Sequence, residues 1–251
     1  MPWDLSDRAV AITGASSGIG EATALLCARS GASVALAARR GERIDALAQR
    51  IEAEGGRAIA VPTDVADEAQ ARAFVQRAHE ELGPLDALIN NAGVMLLGPV
   101  EGADTDQWRQ MIDVNVLGLL YCTHAALPLM REQGSGHIVN VSSVAGRRAA
   151  NGAAVYNLTK FGVNGFTEAL RQEASRSGVR VTVIEPGYVE TELQGHNSGN
   201  EKVAGAIEKM KEQLGEVLQP DDIAEAIVYA LAQPPYVTVA EVLVLPATQR
   251  T

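Results

Sequence analysis

Short apolar, β-branched runs alternate with longer amphipathic segments from one end of this 251-residue chain to the other, and that rhythm restricts it to repeated β-α units. The apolar runs predict strands at residues 9–13, 33–38, 57–61, 85–90, 136–142, 179–185 and 241–245. The amphipathic stretches predict helices at residues 18–30, 42–54, 68–82, 106–131, 155–177, 201–215 and 220–232. The runs are apolar on both faces, as strands of a helix-covered parallel sheet must be. Right-handed crossovers then predict an α/β fold, a doubly wound parallel sheet of about seven strands with helices on both faces. No Pro/Gly/Ser-rich linker interrupts the pattern, so residues 1–251 read as a single domain. Its longest irregular stretch, residues 187–200, follows a strand end and precedes a helix, and a substrate lid is expected around 188–215.

The balance of charge narrows the partners. With a net charge of -10 the chain lacks the basic field that nucleic acid or an anionic membrane surface requires. Its two cysteines, Cys27 and Cys122, fall in apolar helical patterns and read as small buried hydrophobes. Without a Cys-x-x-Cys pair or a His-rich cluster, no metal site is expected. The first residues lack the layout of a signal peptide, and no run of about 18 apolar residues is apparent, so the expectation is a cytoplasmic protein.

Between the first strand and the first helix stands Gly14-Ala15-Ser16-Ser17-Gly18-Ile19-Gly20. Glycines there let backbone approach a pyrophosphate, and the helix N-terminus adds free N–H groups and a favourable dipole. A glycine triplet alone also fits a tight turn, but the first βα turn is where a dinucleotide binds such a sheet. The second strand ends in Ala37-Ala38-Arg39-Arg40, with no carboxylate for a ribose 2′-hydroxyl and two guanidiniums suited to a 2′-phosphate. NADP(H) is therefore the expected coenzyme, with Arg39 the nearer contact.

Tyr156 and Lys160 lie one helical turn apart, and Ser143 precedes Tyr156 by thirteen residues. A free phenol titrates near 10, so a neighbouring ammonium is needed to bring it towards neutral pH. Asn90-Asn91-Ala92-Gly93, Ser142-Ser143 and Pro186-Gly187 each close a predicted strand, at the sheet edge where ligands bind, and Asn115 lies in a long helix.

Taken together these motifs resemble the short-chain dehydrogenase/reductase family over about the whole chain. The resemblance implies a Rossmann-type oxidoreductase with Tyr156 as general acid/base and Ser143 bonded to the substrate oxygen. It implies that Lys160 lowers the phenol pKa and binds the nicotinamide ribose, and that Asn115 holds a water relaying protons from Lys160. Asp64 and Val65 would bracket the adenine, and Asn91, Ala92 and Gly93 would line the coenzyme. Pro186, Gly187, Val189 and Thr191 would hold the nicotinamide carboxamide and phosphate.

The substrate is expected to be a small carbonyl or alcohol touching Met95, Leu96, Leu97, residues 146–151, Val155, Tyr188 and residues 193–210. Arg147 and Arg148 follow the serine closely: one would clamp a substrate carboxylate, or both would lie in an exposed loop or at a subunit contact. The 91–100 stretch and the arginine after Ala145-Gly146 resemble the branch with clavulanic acid dehydrogenase and bacterial 3-hydroxy acid dehydrogenases. The C-terminus departs from the family's usual Asp-Gly-Gly ending, which leaves homodimer and homotetramer both open. Two other readings use the same fold: a coenzyme-retaining epimerase or dehydratase, and a non-catalytic redox sensor.

Overall fold

In the computed structural model, which describes residues 3–250, the apolar runs pair into one parallel sheet. Its strands are β1 (Ala9–Thr13), β2 (Ser33–Ala38), β3 (Arg57–Pro62), β4 (Leu85–Asn90), β5 (Gly136–Val141), β6 (Val179–Pro186) and β7 (Glu241–Val244). They lie in the order β3-β2-β1-β4-β5-β6-β7. The connecting helices are α1 (Gly18–Arg29), α2 (Gly41–Ala53), α3 (Glu68–Leu82), α4 (Thr105–Ile112), α5 (Leu119–Gln133), α6 (Ala154–Ala174), α7 (Glu201–Leu214) and α8 (Pro220–Leu231). Local signals set several of these ends. Asp67 caps α3 by accepting from Gln70 N, and Pro220 starts α8 where its missing N–H costs nothing.

Successive residues of each strand feed opposite faces, so one sheet supports two apolar layers. Val10, Ile12, Val34 and Leu36 pack with residues of α1, α2 and α8, including Leu25, Ile44 and Ile227. Ala11, Leu88, Ile138 and Val181 pack on the other side with Phe74 of α3, Cys122 and Met130 of α5 and Leu170 of α6. Each large side chain buried this way contributes about 1.5–3 kcal/mol.

The predicted 106–131 helix departs from expectation in its interior. A π-helical turn, Asp113–Gly118, separates α4 from α5 and contains Asn115. Such a turn sits inside a helix without a cap or break, so no punctuation in the sequence marks it. The run Thr105–Gln133 also reaches the length and composition of a membrane-crossing helix, with a mean hydropathy of 1.3 in its best window, which corrects the expectation of no such stretch. Its apolar face has an occupant here: Leu119, Cys122, Ala126 and Met130 are buried against the sheet and α3.

The strand order reverses direction between β1 and β4, whose carboxyl ends therefore open a crevice at the top of the sheet. Residues 14–20 follow β1 and residues 91–93 follow β4, which brings both motifs to that crevice.

Candidate active site

The floor of the crevice is bare backbone, and side chains could not fit there. Gly14 has φ +67°, and a Cβ on it would sit 2.8 Å from Ala92 Cα. A Cβ on Gly20 would lie 2.3 Å from the Gly14 carbonyl oxygen. Asn91 ties the two motifs together by donating from Nδ2 to the Thr13 and Gly14 carbonyls at 2.9 and 3.3 Å. Thr13 Oγ1 accepts in turn from the Asn91 and Ala92 amides, both at 3.0 Å. Ser17 starts α1 without capping it, which leaves the first-turn N–H groups to an incoming anion. A pyrophosphate needs such a floor, so these residues fit a dinucleotide coenzyme.

Of the two arginines that follow β2, only Arg40 has side-chain partners among the described residues. It donates to Ser16 Oγ (3.1 and 2.9 Å), to Ser17 Oγ (2.8 Å) and to Glu192 (2.7 Å). Arg39 lines the same cleft and makes no side-chain hydrogen bond or ion pair among the described residues.

The catalytic candidates meet on the opposite wall. Tyr156 and Lys160 are both buried on α6, with Lys160 Nζ 5.9 Å from the Tyr156 ring centroid. Lys160 Nζ donates to the Val141 carbonyl at 3.0 Å. Burial pushes the Tyr156 phenol up to about 12, against a hydrogen bond from Ser143 that favours the phenolate. Burial also lowers Lys160 to about 8. Desolvation outweighs the Ser143 hydrogen bond at Tyr156, so burial favours the neutral phenol.

The two serines take different partners. Ser142 Oγ turns into α6 and donates to the Lys160 carbonyl at 3.3 Å, whereas Ser143 Oγ faces the cleft beside Tyr156 and accepts from Ala145 N. Asn115 is buried behind the wall. Its amide accepts from Val94 N (2.8 Å) and donates to Val94 O (2.9 Å) and Thr159 Oγ1 (3.2 Å), so the expected water relay has a crowded side chain to work with. Gly93 leaves room between Asn115 Oδ1 and Lys160 Nζ, which would lie 3.4 and 4.0 Å from a Cβ there.

Nearly every other expected site residue joins this cleft of about 600 Å³, including Gly18, Ile19, Asp64, Val65, Met95, Pro186, Gly187, Tyr188, Val189 and Thr191. Arg147 does not, which corrects its placement among the substrate contacts. Its guanidinium turns away to the buried Glu185 carboxylate at 2.6 Å and to Glu241 of β7. Asn164 of α6 bonds the other Glu185 oxygen at 2.6 Å, so the pair braces the loop after Ser143 against β6 and α6. Arg148 lines the cleft instead. Leu96, Asn151 and Val155 also lie off its surface.

Across residues 8–202 the chain matches the family model described as short chain dehydrogenase. The chain belongs to the short-chain dehydrogenase family. The chain is 41% identical to an uncharacterized oxidoreductase of Staphylococcus saprophyticus over 253 residues, 98% of each chain. It is also 41% identical to glycine betaine reductase of Emericella nidulans, covering 96% of this chain but only 19% of that much longer protein. Among solved structures it resembles the closed form of serine dehydrogenase complexed with NADP+, with a TM-score of 0.88, 34% identity and 96% of each chain covered. An alcohol dehydrogenase from the archaeon Thermococcus sibiricus, complexed with 5-hydroxy-NADP, gives a TM-score of 0.86 at 29% identity, over 97% of this chain and 98% of that one.

Several residues in and around the cleft have no motif to announce them. Asn197, which ends the 3-10 turn Glu192–Asn197, donates to Met95 O and accepts from Leu97 N, at 2.9 and 2.8 Å, and so docks that turn on the β4–α4 loop. Gln249 Oε1 accepts from Tyr188 N at 2.9 Å and closes against Gly187, making the C-terminal tail part of the wall. Asn157 holds the 145–150 loop by donating to Ala145 O and Arg148 O and accepting from Ala150 N. Their only sequence signal is an amide side chain in a helix or tail where an exposed charge would be ordinary.

Proposed function

We propose that this short-chain dehydrogenase is an NADP(H)-dependent oxidoreductase acting on a small aldehyde, ketone or hydroxy acid. The observation that carries the reading is the convergence of Tyr156, Ser143 and Lys160 on the same cleft as the glycine floor. Residues 14–20 and 91–93 would hold the dinucleotide, with Asp64 and Val65 at its adenine and Arg39 and Arg40 at its 2′-phosphate. The bound NADP+ and 5-hydroxy-NADP in two similar structures support that choice of coenzyme.

A bound nicotinamide supplies a hydride to a carbonyl carbon or accepts one from an alcohol. Tyr156, kept protonated by burial, donates its proton to the substrate oxygen as negative charge develops there. Ser143 offers a second donor to the same oxygen. Lys160 is the cation nearest the phenol and favours the phenolate left behind. Thr159 and Asn115 fix the α6 turn that presents this pair. Exposed Leu158 and Phe161 on α6 and Ile112 on α4 support the expected homodimer or homotetramer, which the acidic protein would form in the cytoplasm.

Serine and other small hydroxy acids with NADP+, and the matching carbonyls with NADPH, form the first panel to assay. Net coenzyme turnover is the expected result. Stoichiometric NADP copurifying without net turnover would replace the reading with an epimerase or dehydratase.

A further inference from the structure

Glu192 sits where an anion would be expected to bind. It opens the 3-10 turn of the lid, Glu192–Asn197, directly above the start of α1. Its two carboxylate oxygens accept from Arg40 Nη1 and Arg43 Nη1, each at 2.7 Å. Arg40 reaches on to Ser16 Oγ and Ser17 Oγ, so two guanidiniums and the hydroxyls of the phosphate loop surround one carboxylate. The neighbouring Thr191 packs on Gly18, where its Cγ2 would lie 3.1 Å from a Cβ, and this keeps Glu192 over the loop. Both arginines hold the carboxyl at about 2, so it is fully ionised at any working pH.

We infer that Glu192 is a specificity-determining residue whose carboxylate competes with the coenzyme 2′-phosphate for Arg40 and Arg43. The inference rests on the NADP(H) reading above. Ion pairs this open to solvent are held weakly and exchange readily; the side chains of Arg40, Arg43 and Glu192 are 44%, 50% and 51% exposed. A phosphate with nearly two charges and three acceptor oxygens displaces such a partner, but the displacement opposes part of its binding. NADH carries no group for this position and leaves Glu192 in place. The lid residue thus tempers the affinity for the phosphorylated coenzyme alone.

Glu192→Gln keeps the shape of the side chain and removes the competing charge. Fluorescence titration should show NADPH binding about fivefold tighter in this variant, the size of one lost charge contact near the surface, with NADH unchanged within about twofold. The same gain should appear with 2′,5′-ADP and not with 5′-AMP, which isolates the phosphate. In an Arg40→Met, Arg43→Met background the substitution should have no effect. Retained NADH binding also shows that each variant is folded. If Glu192→Gln binds NADPH as the parent does, or more weakly, the competition is overturned while the coenzyme reading stands. If the parent protein binds NADH as tightly as NADPH, the coenzyme reading falls and takes this inference with it.

Discussion

The floor of the cleft and its lid are built by opposite means. The floor is backbone packed so closely that glycine alone fits, with Gly20 against Gly14 and Asn91 stitching β1 to β4. The lid is fastened by side chains: Glu192 to Arg40 and Arg43, Asn197 to Met95 and Leu97, and Lys211 to Glu190. Steric closure of backbone leaves no room for a side chain, whereas polar fastenings, half-exposed at Glu192 and buried at Asn197, can be lost one at a time.

The sharpest way to break the contrast is a methyl group in the floor. Gly20→Ala places a Cβ against the Gly14 carbonyl and should cost about 3 kcal/mol of stability, with coenzyme binding falling alongside, as thermal unfolding and NADPH titration would register. A variant as stable and as tightly binding as the parent would mean that the floor yields after all.

Within the buried wall, Lys160 carries a cost that depends on pH. Its folded value of about 8 lies below the unfolded 10.5, so between them the unfolded chain binds more protons and stability rises with pH. Tyr156 is shifted the other way, from 10 to about 12, and removes stability as pH climbs above 10. Denaturation from pH 8 to 10 should therefore show the parent gaining about 2 kcal/mol relative to Lys160→Met. A constant gap would place the ammonium in a wetter setting than the wall provides.

Arg39→Ala tests the rim of the floor. NADPH binding should weaken by about 1.5–3 kcal/mol, roughly ten- to a hundred-and-fifty-fold, with NADH nearly unaffected. Equal losses for both coenzymes would assign Arg39 a general electrostatic role. The smallest effect belongs to the lid: Asn197→Ala loses two backbone contacts and should cost about 1–2 kcal/mol while sparing NADPH binding. Coenzyme binding that collapsed with it would make the lid part of the floor.

The same division governs how much could be read from the chain. β1, β2, β4 and α3 begin and end where the apolar runs and their Gly, Asp and Asn punctuation place them. The floor and the Ser143, Tyr156 and Lys160 wall were legible because each needs a particular residue type at a fixed spacing. The π turn around Asn115 was not, since no cap or break marks it. Nor could spacing tell which of two adjacent arginines faces the cleft. That was decided by Glu185, a buried carboxylate on β6 that takes Arg147 and leaves Arg148 on the cleft wall. Glu192 and Gln249 reach the cleft only through the path of the lid and tail, which no local pattern specifies.

Proton donation by Tyr156 is the claim on which the functional reading depends, and Tyr156→Phe tests it most directly. The experiment compares NADP(H)-linked turnover of parent and variant on the substrate that the panel selects, with NADPH affinity measured on the same samples. Removal of the hydroxyl should lower turnover by about a thousandfold or more, at the upper end of what one acid/base group supplies, with NADPH affinity unchanged. Turnover retained within about tenfold, with the coenzyme still bound, would contradict the account and move the proton to another donor.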